Sequence, residues 1–131
     1  MGVQAAMRGS RLFDTDKTKR MVKERTAWYR RHRAILESDI IHLRRADGRD
    51  IDYMMHVNPA IKEKGLLMVF NPLDKAVSKI LKVPLYYTGI DESVKVTDRA
   101  GKTIRVKLNR DYSVDLKVSV PVNGASWYIF E

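Results

Sequence analysis

From Lys17 to Glu37 the chain contains neither glycine nor proline, and its bulky apolar residues come in pairs seven apart: Met21/Val22, Trp28/Tyr29 and Ile35/Leu36. Thr18, Arg25 and His32 fall between them on the same face, so the spacing predicts one long amphipathic helix with a single buried stripe. Asp14-Thr15-Asp16 supplies an N-cap and negative charge where unpaired N–H groups and the helix dipole favour both. At about 1.5 Å per residue such a helix is some 30 Å long. Burying each large side chain contributes roughly 1.5–3 kcal/mol. Left in water, the six would forfeit about 10 kcal/mol, comparable to the stability of a whole domain. The stripe must therefore pack against its own sheet, a second copy or a partner.

After Ser38-Asp39 the period changes from helical to mostly alternating. Ile40 to Arg44 and Ile51 to Val57 flank Ala46-Asp47-Gly48-Arg49-Asp50, and the Asp-Gly pair there is a hairpin signal. Gly65 to Phe70 is an unbroken apolar run ended by Asn71-Pro72, as in a strand covered on both faces. Val77 to Val83 follows, and Pro84 puts Leu85-Tyr86-Tyr87 at an edge or after a bulge. Val94 to Val96, Ile104 to Leu108, Val114 to Val120 and Ser126 to Phe130 complete the series. About eight short strands with turn signals every 8–12 residues predict a mainly β protein, an antiparallel β-sandwich preceded by one long amphipathic helix. A barrel is the alternative. The boundary falls near Leu36 to Ile40, dividing an N-terminal loop and helix (1–38) from a sandwich domain (39–131).

Composition narrows the function classes. With 131 residues and 44% hydrophobic content the chain can hold one ordinary core. No apolar run approaches the roughly 20 residues of a membrane span, so no membrane partner is expected. The absence of cysteine excludes disulfides, thiol catalysis and Cys-ligated zinc. The formal charge of +9 is concentrated in the helix, where eight cations between Lys17 and Arg33 face Glu24 alone. These charges surround the apolar stripe and do not gather on one groove-sized face, which weighs against nucleic acid. A solvated helix face accounts for them.

Candidate chemistry is sparse. Asp47, Asp50 and Asp52 lack the twelve-residue ligand pattern of a calcium loop and read as charged residues around a turn. His42 and His56 could meet across the hairpin, but with no third ligand they read as solvent-facing strand histidines. His32, on the apolar stripe, reads as packed and hydrogen-bonded. No Gly-x-Ser-x-Gly and no glycine-rich phosphate loop occurs. No catalytic, metal or cofactor set emerges. Trp127, Tyr128, Tyr86 and Tyr87 could stack on sugar rings or bases, although on alternating strands most such aromatics belong to the core.

The order of elements resembles the C-terminal end of a TIM-barrel glycoside hydrolase, of the α-galactosidase (melibiase)-like or α-amylase-like kind. Trp28-Tyr29-Arg30-Arg31-His32-Arg33-Ala34-Ile35-Leu36 is similar to the W-Y-x-x-H/Y-R-x-I-L close of the last barrel helix. The Asp47-Gly48-Arg49 hairpin and Leu66 to Pro72 resemble the accessory sandwich that follows it. The resemblance makes Gly2 to Ala6 a remnant of the last barrel strand and Arg8 to Arg11 the loop after it. It implies a non-catalytic accessory segment that packs on and stabilises a barrel absent from this chain. The catalytic carboxylates of such enzymes sit on earlier barrel strands, so none is inherited here and the chain alone should not hydrolyse glycosides. Gln4, Arg8 and Arg11 would lie at the active-site rim as possible sugar contacts. The rival reading is an independent carbohydrate-binding module with Trp127 or Tyr86/Tyr87 as its platform. A helix without its barrel is expected to self-associate through Met21, Val22, Trp28, Tyr29, Ile35 and Leu36, or to fold that face onto its own sheet.

Overall fold

The computed structural model describes residues 13–131. Helix α1 (Asp16–Arg31) starts where the cap signal places it. Thr15 is extended (φ −133°, ψ 161°) and its side chain accepts a hydrogen bond from the Thr18 N–H. The run to Glu37 is not continuous, however: it breaks at His32 (φ −104°, ψ 16°), and a single turn, α2 (Arg33–Leu36), follows. Side-chain anchoring accounts for the bend. His32 is 5% exposed with Nδ1 2.9 Å from Glu63 Oε2, as a packed, hydrogen-bonded histidine should be, and just beyond it Ile35 and Leu36 are buried against Leu66.

The stripe is buried only at its C-terminal end. Trp28 and Tyr29 pack with Ile61, Met68, Trp127 and Ile129 around the Ile35–Leu36–Leu66 cluster. Val22 is half-buried, Met21 is 52% exposed, and no residue of α1 is fully buried. Sixteen helical residues reach about 24 Å. Fastened at one end, α1 carries its first turns clear of the sheet. The chain has thus folded half of that apolar face onto itself.

Eight strands follow among the described residues: β1 (Asp39–Arg44), β2 (Asp52–Val57), β3 (Gly65–Phe70), β4 (Val77–Pro84), β5 (Ser93–Asp98), β6 (Thr103–Lys107), β7 (Ser113–Val120) and β8 (Ala125–Phe130). They form a six-stranded sheet, β1-β2-β3-β8-β5-β6, and a two-stranded sheet, β4-β7, with every pair antiparallel. This is the expected mainly β architecture. The alternation along β7 shows why it sandwiches: Val114, Leu116, Val118 and Val120 are buried while Asp115, Lys117 and Ser119 face out. Those valines and leucines meet Met55, Leu67, Val69, Val94, Val96 and Phe130 of the larger sheet in one core. Strand β3 lies between β2 and β8, with Leu67 and Val69 in the core and Leu66 under α2. Its apolar run has no polar member because both faces are covered.

The acids between β1 and β2 build the turn. Asp47 accepts from the Arg49 N–H and pairs with Arg44, while Asp50 pairs with Lys79 at 2.6 Å. His42 is exposed and lies opposite Met54, as a strand residue facing water should. His56 departs from that expectation. It is 2% exposed, opposite Ile40 and Leu66 on the face that α2 covers.

Burial pushes the His56 imidazole below its ordinary pKa of 6.5, against a backbone hydrogen bond at Ser38 that raises it; Nδ1 has no hydrogen-bond partner. The unfolded chain therefore binds more protons than the folded one just below that pKa. The stability this neutral histidine contributes is complete above pH 6.5 and is lost as pH falls through that value toward the folded pKa. The urea midpoint should drop between about pH 7.5 and about pH 5.5, and His56→Leu should flatten the drop. An equal drop in the variant would show that other groups carry it.

Candidate functional site

Of the anticipated sugar contacts, Gln4, Arg8 and Arg11 lie outside the described residues. Trp127 is half-buried on β8, opposite Met68. Its ring lies 5.1 Å from that of Trp28 at 60°, and the Arg99 guanidinium sits 5.0 Å from its centroid. Arg99 is held in place by a 2.9 Å hydrogen bond to the Ala125 carbonyl. The indole is therefore wedged into the joint between α1 and the sheet. Trp28 also contacts the His32 ring at 5.3 Å, and its own Nε1 is buried without a hydrogen-bond partner.

Beside this joint opens a cleft of about 590 Å³, walled by Arg25, Asp52, Phe70, Pro72 and Asn123 among others. Asp52 Oδ1 is buried there with no hydrogen-bond partner, so the cleft has a polar wall as well as an apolar one. Arg25 lies one turn beyond Met21 on α1, which makes the cleft continuous with the part of the helix that stands off the sheet. A second cleft, about 660 Å³, runs between the sheets past Val96, Leu116, Val118 and Tyr128. It is the gap left when six strands face two.

At another place in the molecule the structure exposes aromatics that strand periodicity assigns to the core. Tyr86 and Tyr87 are 66% and 62% exposed because the chain leaves the strand at Pro84 and makes a 3-10 turn, Tyr86–Thr88. Leu85 and Thr88, both fully buried, anchor that turn. The Thr88 hydroxyl donates to the Leu85 carbonyl at 2.6 Å, and Gly89 closes the turn at φ 68°, a left-handed conformation that glycine adopts without strain. Tyr112, which no sequence signal singled out, is 44% exposed beside them. Its ring is 5.9 Å from that of Tyr86, and the rings of Tyr86 and Tyr87 are 5.3 Å apart. The proline that ends the β4 pattern was the one local sign that these tyrosines lie off the sheet.

Beside the tyrosines Lys82 Nζ pairs with Asp111 Oδ2 at 2.5 Å, and the Ser113 hydroxyl donates to Asp111 Oδ1 at 2.6 Å. The Lys82 ammonium first, and the Ser113 hydroxyl second, hold the Asp111 carboxyl down at about 2. Tyr128, by contrast, is buried, and its phenolic oxygen accepts from the Ser119 N–H at 3.3 Å.

No family model and no curated protein matches the chain. Among solved structures it is similar to AmyP in complex with maltose, with a TM-score of 0.57 and 10% identity over 86% of this chain and 20% of that one. The two share a fold. The chain spans about a fifth of the length of that neighbour. Pullulanase type I from Bacillus subtilis str. 168, complexed with maltose, aligns over 88% of this chain and 17% of its own, at 13% identity and a TM-score of 0.42.

Proposed function

We propose that this chain is the non-catalytic C-terminal accessory β-sandwich of a glycoside hydrolase-like protein, packing on and stabilising a catalytic barrel outside residues 1–131. The observation that carries this reading is the fold it shares with one fifth of AmyP, a much longer chain crystallised with maltose. The half-docked helix supports it. Phe13 and Met21 are exposed, and the cleft at Arg25, Asp52 and Phe70 continues their surface. A barrel laid against α1 would cover both. In this reading residues 1–38 belong to the junction with the barrel and 39–131 to the sandwich, while Gln4, Arg8 and Arg11 approach the sugar site from the barrel side. Hydrolysis then belongs to the barrel, where two carboxylates face each other across the scissile bond.

An antibody against residues 39–131, applied to the cells that make the protein, tests this directly. The expected result is a polypeptide far longer than 131 residues, or a barrel protein that co-purifies in stoichiometric amount. A free 15.2 kDa chain without such a partner would overturn it. The exposed tyrosines favour a second reading, in which the sandwich itself binds carbohydrate.

A further inference from the structure

We infer that Tyr86, Tyr87 and Tyr112 form a binding platform for a short, curved, neutral oligosaccharide. The inference rests on the carbohydrate-binding reading and is independent of the barrel. Three tyrosines are exposed side by side, each presenting a ring face that stacks on the apolar face of a pyranose and a hydroxyl that can hydrogen-bond the sugar. The two segments that carry them are locked together. The Leu85 N–H donates to the Tyr112 carbonyl at 2.7 Å, and the Tyr112 N–H donates to the Asn109 carbonyl at 3.0 Å.

Tyr112 is held at φ 58°, left-handed backbone that costs a residue with a side chain roughly 1–2 kcal/mol. Glycine or asparagine would adopt it at less cost, and the tyrosine gains little burial in return. The fold alone therefore gives no reason for a tyrosine there, whereas a ligand that stacks on its ring does.

Local charge selects the class of ligand. The chain as a whole carries +9, yet segments 82–92 and 109–115 hold four acids (Asp91, Glu92, Asp111, Asp115) against two cations (Lys82, Arg110), a local balance of −2. Hydrogen bonds from Leu108 N to Glu92 O and from Asn109 N to Ser113 O bring these segments to one end of the sandwich. That field repels the phosphates of a nucleic acid, the other polymer that stacks on aromatics. Carboxylates such as Asp111, whose side chain is 52% exposed, accept hydrogen bonds from sugar hydroxyls. Shape narrows the choice further. The Tyr86 ring meets Tyr87 at 87° and Tyr112 at 77°. The faces thus turn around a corner, which suits a bent α-linked chain and not the flat face of a β-linked one.

The test is calorimetric titration of the whole chain with maltohexaose, cellohexaose and an oligothymidylate, across a salt series. Maltohexaose should bind in the millimolar range or tighter, with an affinity flat in salt and above that for cellohexaose. Tyr86→Ala/Tyr87→Ala should weaken it by at least about tenfold, and Tyr112→Gly by several-fold, with unchanged far-UV dichroism and Tm because all three side chains are exposed. Undiminished binding in the variants overturns the platform and leaves the carbohydrate reading standing. No binding by the wild type overturns both. Preference for cellohexaose, or salt-sensitive oligothymidylate binding lost with the tyrosines, overturns the ligand class.

Discussion

Phe130→Ala should destabilise the protein by about 3–5 kcal/mol and lower its urea midpoint by about 1–3 M, the largest single effect expected here. Phe130 is fully buried on β8 and pairs with Gly65 of β3 on one side and Val96 of β5 on the other. Gly65 makes room for it. A Cβ at Gly65 would stand 3.4 Å from Phe130 Cβ and 2.3 Å from the Met55 methyl, so the phenyl ring and the Met55 side chain use the space that glycine leaves free. Removing the ring opens a cavity beside a residue with no side chain to move in, and collapse cannot recover the loss. Tryptophan fluorescence through a urea titration measures it. A loss below about 1.5 kcal/mol would mean that Met55 swings in to refill the site.

Asn71→Ala should cost about 2–4 kcal/mol, through polar groups and not through volume. Asn71 is 2% exposed at the end of β3, and its backbone N–H donates to the Gly124 carbonyl at 2.8 Å. Its side-chain amide donates to the carbonyls of Lys75 at 2.8 Å and Pro121 at 2.9 Å, with the Val120 carbonyl at 3.3 Å, while its Oδ1 accepts from the Leu73 N–H at 3.1 Å. One carboxamide thus fastens the β3–β4 connection to the turn between β7 and β8. Alanine leaves those groups without partners in a site that admits little water. The control is Asn71→Asp, which keeps the acceptor and turns a charged oxygen toward the carbonyls. It should be less stable than the alanine variant at neutral pH and gain on it in acid, once the carboxyl is protonated and can donate. If aspartate is tolerated as well as asparagine, the ring of carbonyls is not what asparagine satisfies.

Asn71 shows how the chain reads at two levels. Its sequence context, an apolar run followed by Asn-Pro, marks where a strand stops, and β3 does end at Phe70. Nothing in that context points to Pro121, fifty residues away. The helix shows the same division. The cap at Thr15 and the apolar pairs seven apart are local signals and describe α1 well. The break at His32 depends on Glu63, thirty-one residues on, and periodicity does not register it. His56 reads as half of an exposed pair until α2 is laid over β2. Tyr86 and Tyr87 read as strand aromatics until the chain is seen to leave the sheet at Pro84, and Tyr112 joins them only through the fold.

By itself the sequence determined where the strands and turns fall, where the helix begins, and that the protein is a mainly β sandwich behind one amphipathic helix. Period-two and period-3.6 burial, turn glycines and caps all act within a few residues of one another. The tertiary structure alone decided that the strands divide six against two, that only the C-terminal part of the helical stripe is covered, and that tyrosines from two separate segments share one exposed corner. Those outcomes depend on contacts between residues tens of positions apart, and they are settled by which surfaces fit together, a property that no local pattern encodes.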